Sequence, residues 1–197
     1  MSLILAFVLA CTGKDDSPGV SFPDDTDVTD DTGEIDPDAA VRAIDPSTLP
    51  AGANPCDTPR LVRVTWVVDG DTADVVPDGG GPEERLRFIG LNAPELAYGG
   101  NEGDCYGEEA SLFVRELIKD RLIWLTFDGN CTDRYDRTLA YLHLDAREEG
   151  FVNRYIVRSG YAFAYPFDET DTFEAEFDAD ETFAREAGLA MWGACDL

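Results

Sequence analysis

Between residues 61 and 91 the chain changes texture three times in a way that leaves few folds open. "LVRVTWVV" (61–68) is rich in β-branched residues and alternates in polarity, which predicts a strand. "DGD" (69–71) is a turn signal, and "TADVV" (72–76) returns as a second strand. After the loop "PDGGGPEE", "RLRFIGL" (85–91) predicts a third strand, stopped by the proline of "NAPE". Three short strands in succession predict an antiparallel meander.

The remainder fixes how such a meander could close. "YGEEASLFVRELIKD" (106–120) carries Ala110, Phe113, Val114, Leu117 and Ile118 at helical spacing, with acids in the first turn. "LIWLTF" (122–127) and "RTLAYLHLD" (137–145) predict two more strands around the loop "DGNCTDRYD". "FVNRYIVRSG" predicts a short helix closed by Gly160, and 171–188 a last amphipathic helix. Three strands, a helix, two strands and two helices predict an α+β chain: a five-stranded OB-fold β-barrel with about three helices.

The chain divides into three parts: 1–11, 12–55 and 56–197. "MSLILAFVLAC" is apolar from Leu3 to Ala10, too short to span a bilayer, and ends on a small residue and Cys11. It resembles a lipoprotein-type signal segment, with Cys11 as the lipid-carrying residue. No Lys or Arg precedes the apolar run. The expected location is therefore outside the cytoplasm, as a bacterial cell-envelope lipoprotein or a secreted protein, touching membrane only through Cys11. Residues 12–55 are rich in Asp, Thr, Pro and Gly, which predicts a disordered acidic tether. Setting Cys11 aside leaves Cys56, Cys105, Cys131 and Cys195, enough for two disulfides in an exported chain, with three possible pairings.

With 41 acidic and 15 basic residues the formal net charge is −26, which repels nucleic acid and anionic lipid at long range. The chain has one histidine, His143, read here as a strand residue; without it no Ser-His-Asp or Cys-His mechanism can be built.

Four clusters could carry chemistry: "DGDT" (69–72), "RFIGLNAPE" (87–95), "DRYDR" (133–137) and "GYAFAY" (160–165). Taken singly, the first three are a hairpin turn, a strand exit and a polar loop. Taken in order, with "YGEEAS", "TDRYDRTLAYL" and "VRSGYA", they resemble the staphylococcal nuclease (thermonuclease) family from about Leu61 to Trp192. The resemblance implies calcium-dependent endonucleolytic hydrolysis of DNA or RNA by a monomer. It implies Asp71, Asn92 and the backbone carbonyl of Ala93 as ligands of Ca2+, which is hard and takes oxygen donors. It implies Glu95 beside the attacking water, Arg87 and Arg137 on the phosphate, and Tyr135 and Tyr165 as substrate contacts.

Two departures matter. The family has Asp where this chain has Asn92, and its best-known member is basic. A catalytically weak or inactive nuclease-like binding module is the alternative these two features favour. We also expect Cys56–Cys195 to tie the ends of the domain, and Cys105–Cys131 to pin the loop that carries Arg137.

Overall fold

A computed structural model describes residues 37–100, 102–166 and 172–197. The proposed signal segment with Cys11, and the first part of the expected tether, lie outside the described residues. Among the described residues no helix is long and apolar enough to cross a membrane.

Five strands close into a barrel in the order β1-β2-β3-β6-β5. They are β1 (Arg60–Val67), β2 (Thr72–Pro77), β3 (Glu84–Phe88), β5 (Leu122–Thr126) and β6 (Thr138–His143). The meander pairs antiparallel as expected. Closure comes from β5, antiparallel to both β1 and β6, and from a parallel pairing of β3 with β6.

Strand β1 shows how sequence sets what faces inward. Val62 and Val64 are buried, as alternation requires, and Trp66 should follow them inward. A register shift between Val64 and Trp66 breaks the phase. Val67 enters the core at 1% exposure, and Trp66 is left outside at 52%.

The third predicted strand, 85–91, is divided in two. Gly90 has φ +83, and a side chain there would collide with the Phe177 ring. The chain leaves the barrel at this turn and forms β4 (Gly90–Asn92), which pairs with β7 (Phe163–Tyr165). The buried Asn153 holds the turn: Nδ2 donates to the carbonyls of Ile89 (2.9 Å) and Ala140 (3.2 Å), and Oδ1 accepts from the Leu142 N–H (2.8 Å).

The three expected helices are α2 (Gly107–Ile118), α3 (Val152–Arg158) and α4 (Glu174–Glu186). Ala110, Val114 and Ile118 of α2 are buried in the same core as the barrel strands. Asp180 of α4, 1% exposed, accepts from Arg154 (2.7 Å) and Arg158 (3.1 Å) of α3, so the buried charge is paired. Two short helices were not expected: α1 (Pro37–Arg42) and α5 (Met191–Ala194).

Helix α1 corrects the domain boundary. Residues 37–55, expected as tether, are folded onto the barrel. Val41 and Leu49 are buried, each contributing about 1.5–3 kcal/mol. Trp124 Nε1 donates to the Val41 carbonyl at 2.9 Å, and Thr126 Oγ1 to the Pro50 carbonyl at 2.6 Å. Asp38 pairs with Arg63 (2.6 Å) and Arg42 with Asp78 (2.7 Å).

The disulfides also differ from expectation. They join Cys56 to Cys131 and Cys105 to Cys195, with Cα–Cα distances of 5.6 and 6.1 Å. The reason is the arm. Because 50–56 runs beside the exit of β5, the Cys56 N–H donates to the Asp128 carbonyl (2.7 Å), which sets Cys56 against the 127–137 loop. The C-terminal helix instead brings Cys195 to the entrance of α2.

Candidate active site

Asp71 closes the turn between β1 and β2, and that turn sits tightly on the chain after β4. A Cβ on Gly70 would meet the Ala93 Cβ at 2.5 Å, so only glycine allows the approach. The result is a fixed carboxylate. Asp71 Oδ2 accepts from the Ala93 N–H at 3.0 Å, and Oδ1 from Thr72 Oγ1 at 2.9 Å.

Arg87 reaches the same place from β3. Its guanidinium is 3.1 Å from Asp71 Oδ2, donates to the carbonyls of Phe88 (3.1 Å) and Leu91 (3.0 Å), and donates to Asn92 Oδ1 at 2.9 Å. Burial draws its pKa below the ordinary arginine value, while the Asp71 charge works the other way. A guanidinium fastened to backbone on one edge and to acceptors on the other is a preorganised cation.

The second side of the site is the 127–137 loop. Asp133 folds it: Oδ1 accepts from the N–H groups of Tyr135 (2.8 Å) and Arg137 (3.0 Å), an Asx turn, with Asp136 at φ 61 completing the reversal. Oδ2 of the same carboxylate accepts from Arg137 Nε at 2.7 Å. Burial acts to raise the Asp133 pKa, yet these bonds from Arg137 and Tyr135 hold it below the usual carboxylate value. Arg134 donates to the Tyr135 hydroxyl at 2.6 Å and lies over its ring, 4.7 Å from the centroid.

These parts surround one cleft of about 540 Å³. Asp71, Arg87, Asn92, Glu95, Arg137, Tyr135 and Tyr165 all line it. Ala93 does not line it; it is buried, and its backbone N–H holds Asp71. Glu95 is exposed, but its backbone is clamped: its N–H donates to Asp104 Oδ2 (3.1 Å) and its carbonyl accepts the Asp104 N–H (2.9 Å). His143 lies elsewhere, fully buried in β6 against Thr126.

Five lining residues were not among the expected site residues: Asp69, Asn130, Asp133, Arg134 and Leu139. The signal for two of them was present, since Asp69 opens "DGDT" and Asp133 precedes Arg137 by one helical turn's worth of sequence. Asp69 Oδ1 accepts the Asp71 N–H at 3.0 Å. Burial, then the neighbouring Asp71 charge, pushes its carboxyl up to about 6.

Among the described residues no group of three or more His, Cys, Asp or Glu side chains is gathered to hold a metal ion. The expected donors are instead mixed oxygens, the Asp71 carboxylate, the Asn92 amide and the Ala93 carbonyl; Asn92 turns its Oδ1 to Arg87 and its Nδ2 to the Ala93 carbonyl, 3.5 Å away. An all-oxygen set suits a hard cation such as calcium and does not suit zinc or copper.

Comparison with known proteins agrees with this geometry. The family model described as "Staphylococcal nuclease homologue" matches residues 85–194. The chain is 31% identical over 137 residues to endonuclease YncB of Bacillus subtilis (strain 168), covering 68% of this chain and 63% of that protein. It is 31% identical over 129 residues to the thermonuclease of Staphylococcus intermedius (66% of this chain, 74% of that protein). To the thermonuclease of Staphylococcus hyicus it is 30% identical over 133 residues (68% and 76%). The chain thus spans just under two thirds of YncB and about three quarters of the two thermonucleases. With a closed five-stranded barrel and a family match over more than half its length, the chain belongs to the staphylococcal nuclease homologue family.

Proposed function

We propose that the protein is an endonuclease that hydrolyses phosphodiester bonds of DNA or RNA with calcium. The observation that carries this reading is the convergence of Arg87 and Arg137 with the carboxylates Asp71 and Glu95 on a single cleft. A module that only binds has no need of an exposed carboxylate in the same cleft as two guanidiniums. The names of the relatives, endonuclease and thermonuclease, support it.

Each residue has a task its placement allows. Arg87 and Arg137 donate to the non-bridging phosphate oxygens and stabilise the charge that grows there. Glu95, exposed at the cleft, takes the proton of the attacking water. Tyr135 and Tyr165 line the rim, where they contact phosphate or sugar. Asp71, Asn92 and the Ala93 carbonyl would hold the calcium ion. When bound, that ion neutralises phosphate charge and makes water a better nucleophile.

Export belongs to the same proposal. Acylation of Cys11 would keep a monomeric enzyme on the bacterial cell envelope, and cleavage after the signal segment without acylation would release it. Millimolar calcium sites, of the kind extracellular modules use, suit that location.

The test is digestion of plasmid DNA and of RNA by the full chain, in calcium and in excess chelator, beside Glu95→Gln. Cleavage in calcium alone, lost in Glu95→Gln, supports the proposal. A chain that stays silent at saturating calcium while Asn92→Asp cleaves is a binding module, the reading Asn92 favours.

A further inference from the structure

The most exposed of the three tryptophans has no part in the cleft. Trp66 is pushed out of the barrel by the irregularity in β1, which leaves it 52% exposed while Trp124 and Trp192 are half-buried. Arg115 of α2 and Lys119, which caps the C-terminus of that helix, approach its ring, at 5.7 and 5.8 Å from the centroid. Arg115 makes no ion pair with a described carboxylate. Among the described residues Lys119 pairs only with Asp120, at 3.8 Å, with both groups exposed. In a chain of net charge −26, most described arginines are paired; an arginine held on an exposed indole instead is a local exception to the field.

The sheet register ties this patch to the cleft. Trp66 pairs with Asp74, Asp74 with Arg85, and Thr72 with Arg87. Arg85 and Arg87 stand two residues apart on one face of β3. The backbone of Trp66 is therefore two strands across and two residues along from Arg87, roughly 12 Å. Between them lies Arg85, whose charge is balanced by Asp74 at 2.7 Å, with Glu83 beside Thr65 at 2.8 Å as the acid nearest the path.

We propose that Trp66, Arg115 and Lys119 form a second subsite for single-stranded nucleic acid, stacking a base about two nucleotides beyond the phosphate held in the cleft. The chemistry fits the ligand: an indole offers a sequence-tolerant stacking surface, and the flanking cations meet the backbone phosphates. The subsite rests on the nuclease reading. It explains how an acidic protein could retain a polyanion, by adding contacts along the strand rather than a long-range attractive field.

The experiment uses the full chain with Glu95→Gln to prevent cleavage. Dye-labelled oligothymidylate and oligouridylate of about 4 and about 12 nucleotides, spanning the usual site sizes of such barrels, are titrated by anisotropy of the label, which reads every variant, with tryptophan emission followed alongside in the protein that keeps Trp66. The longer strand should quench emission and bind more tightly than the shorter. The ratio of the two affinities should fall about tenfold in Trp66→Ala and be kept in Trp66→Phe. Arg115→Ala should lessen the slope of log affinity against log salt by about 0.7 for the longer strand, as loss of one phosphate contact requires. An unchanged ratio in Trp66→Ala, or an unchanged salt slope in Arg115→Ala, overturns the subsite while leaving cleavage by the unmodified chain intact. Absence of both cleavage and binding at either length overturns the subsite together with the nuclease reading.

Discussion

The guanidinium of Arg87 donates to the side-chain oxygen of Asn92 across 2.9 Å. That single oxygen is the one a metal ion would also need. An aspartate here would have two, so one could stay with Arg87 while the other faced the cleft.

Asn92→Asp should therefore lower the calcium concentration for half-maximal activity about tenfold, with a smaller change in maximal rate. Calcium titrations of activity and of binding heat on both proteins check this. Coincident curves would remove Asn92 from the ligand set.

Arg137→Ala should reduce the maximal rate by about 100-fold or more, since it deletes a donor to the developing charge. Asp133→Asn should cost less, about tenfold, and mainly in rate rather than KM, because it frees Arg137 Nε without removing the cation. Steady-state kinetics on both variants distinguish the two effects.

Acid should weaken the fold through His143. Thr126 Oγ1 spends its proton on the Pro50 carbonyl, so His143 Nε2 must be the donor to that hydroxyl, 2.9 Å away, and Nδ1 is left buried with no partner. Burial lowers the pKa from 6.5 to about 4, against a weaker opposing backbone contact with Pro50. The unfolded chain thus takes up this proton first as pH falls. The stability from a neutral His143 is complete above pH 6.5 and is lost between 6.5 and about 4, a change on the order of 3 kcal/mol. Denaturant unfolding at both ends of this range should show a shallower pH dependence in His143→Gln than in the native chain. Equal dependence in the two would contradict it.

Non-reducing peptide mapping should recover Cys56–Cys131 and Cys105–Cys195. Removing either pair with serine should cost between about 2 and 5 kcal/mol, given loops of 75 and 90 residues. Loss of the second pair should also lower the rate, because Cys105 follows Asp104, which clamps the backbone of Glu95.

Much of this was legible in the residues. The pattern of residues located four of the five barrel strands to within one or two residues at each end, and turn chemistry located the loops that bear Asp71 and Arg137. What was not legible depended on partners distant in sequence. The arm at 37–55 looked like tether because it has few apolar residues; only the cover that Val41 and Leu49 find against the barrel makes it fold. The pairing of the cysteines followed from where that arm runs, so the same omission misplaced both bridges. The break at Gly90 was hidden because 88–91 runs on without a polar residue; Phe177, far along the chain, decides it. The outward position of Trp66 was not legible either, because alternation carries no mark of a bulge.

The two disulfides give the cleft an unusual kind of suspension. One moors the loop of Arg137 to the segment that enters the domain; the other moors the stretch beside Glu95 to the segment that leaves it. Fraying, which ordinarily begins at the ends of a chain and spares its middle, would here be felt first at the catalytic jaws. Amide exchange in the 127–137 loop and around Asp104 should thus track the integrity of the termini, and a chain cut back to Cys56 would loosen one jaw while leaving the other tied.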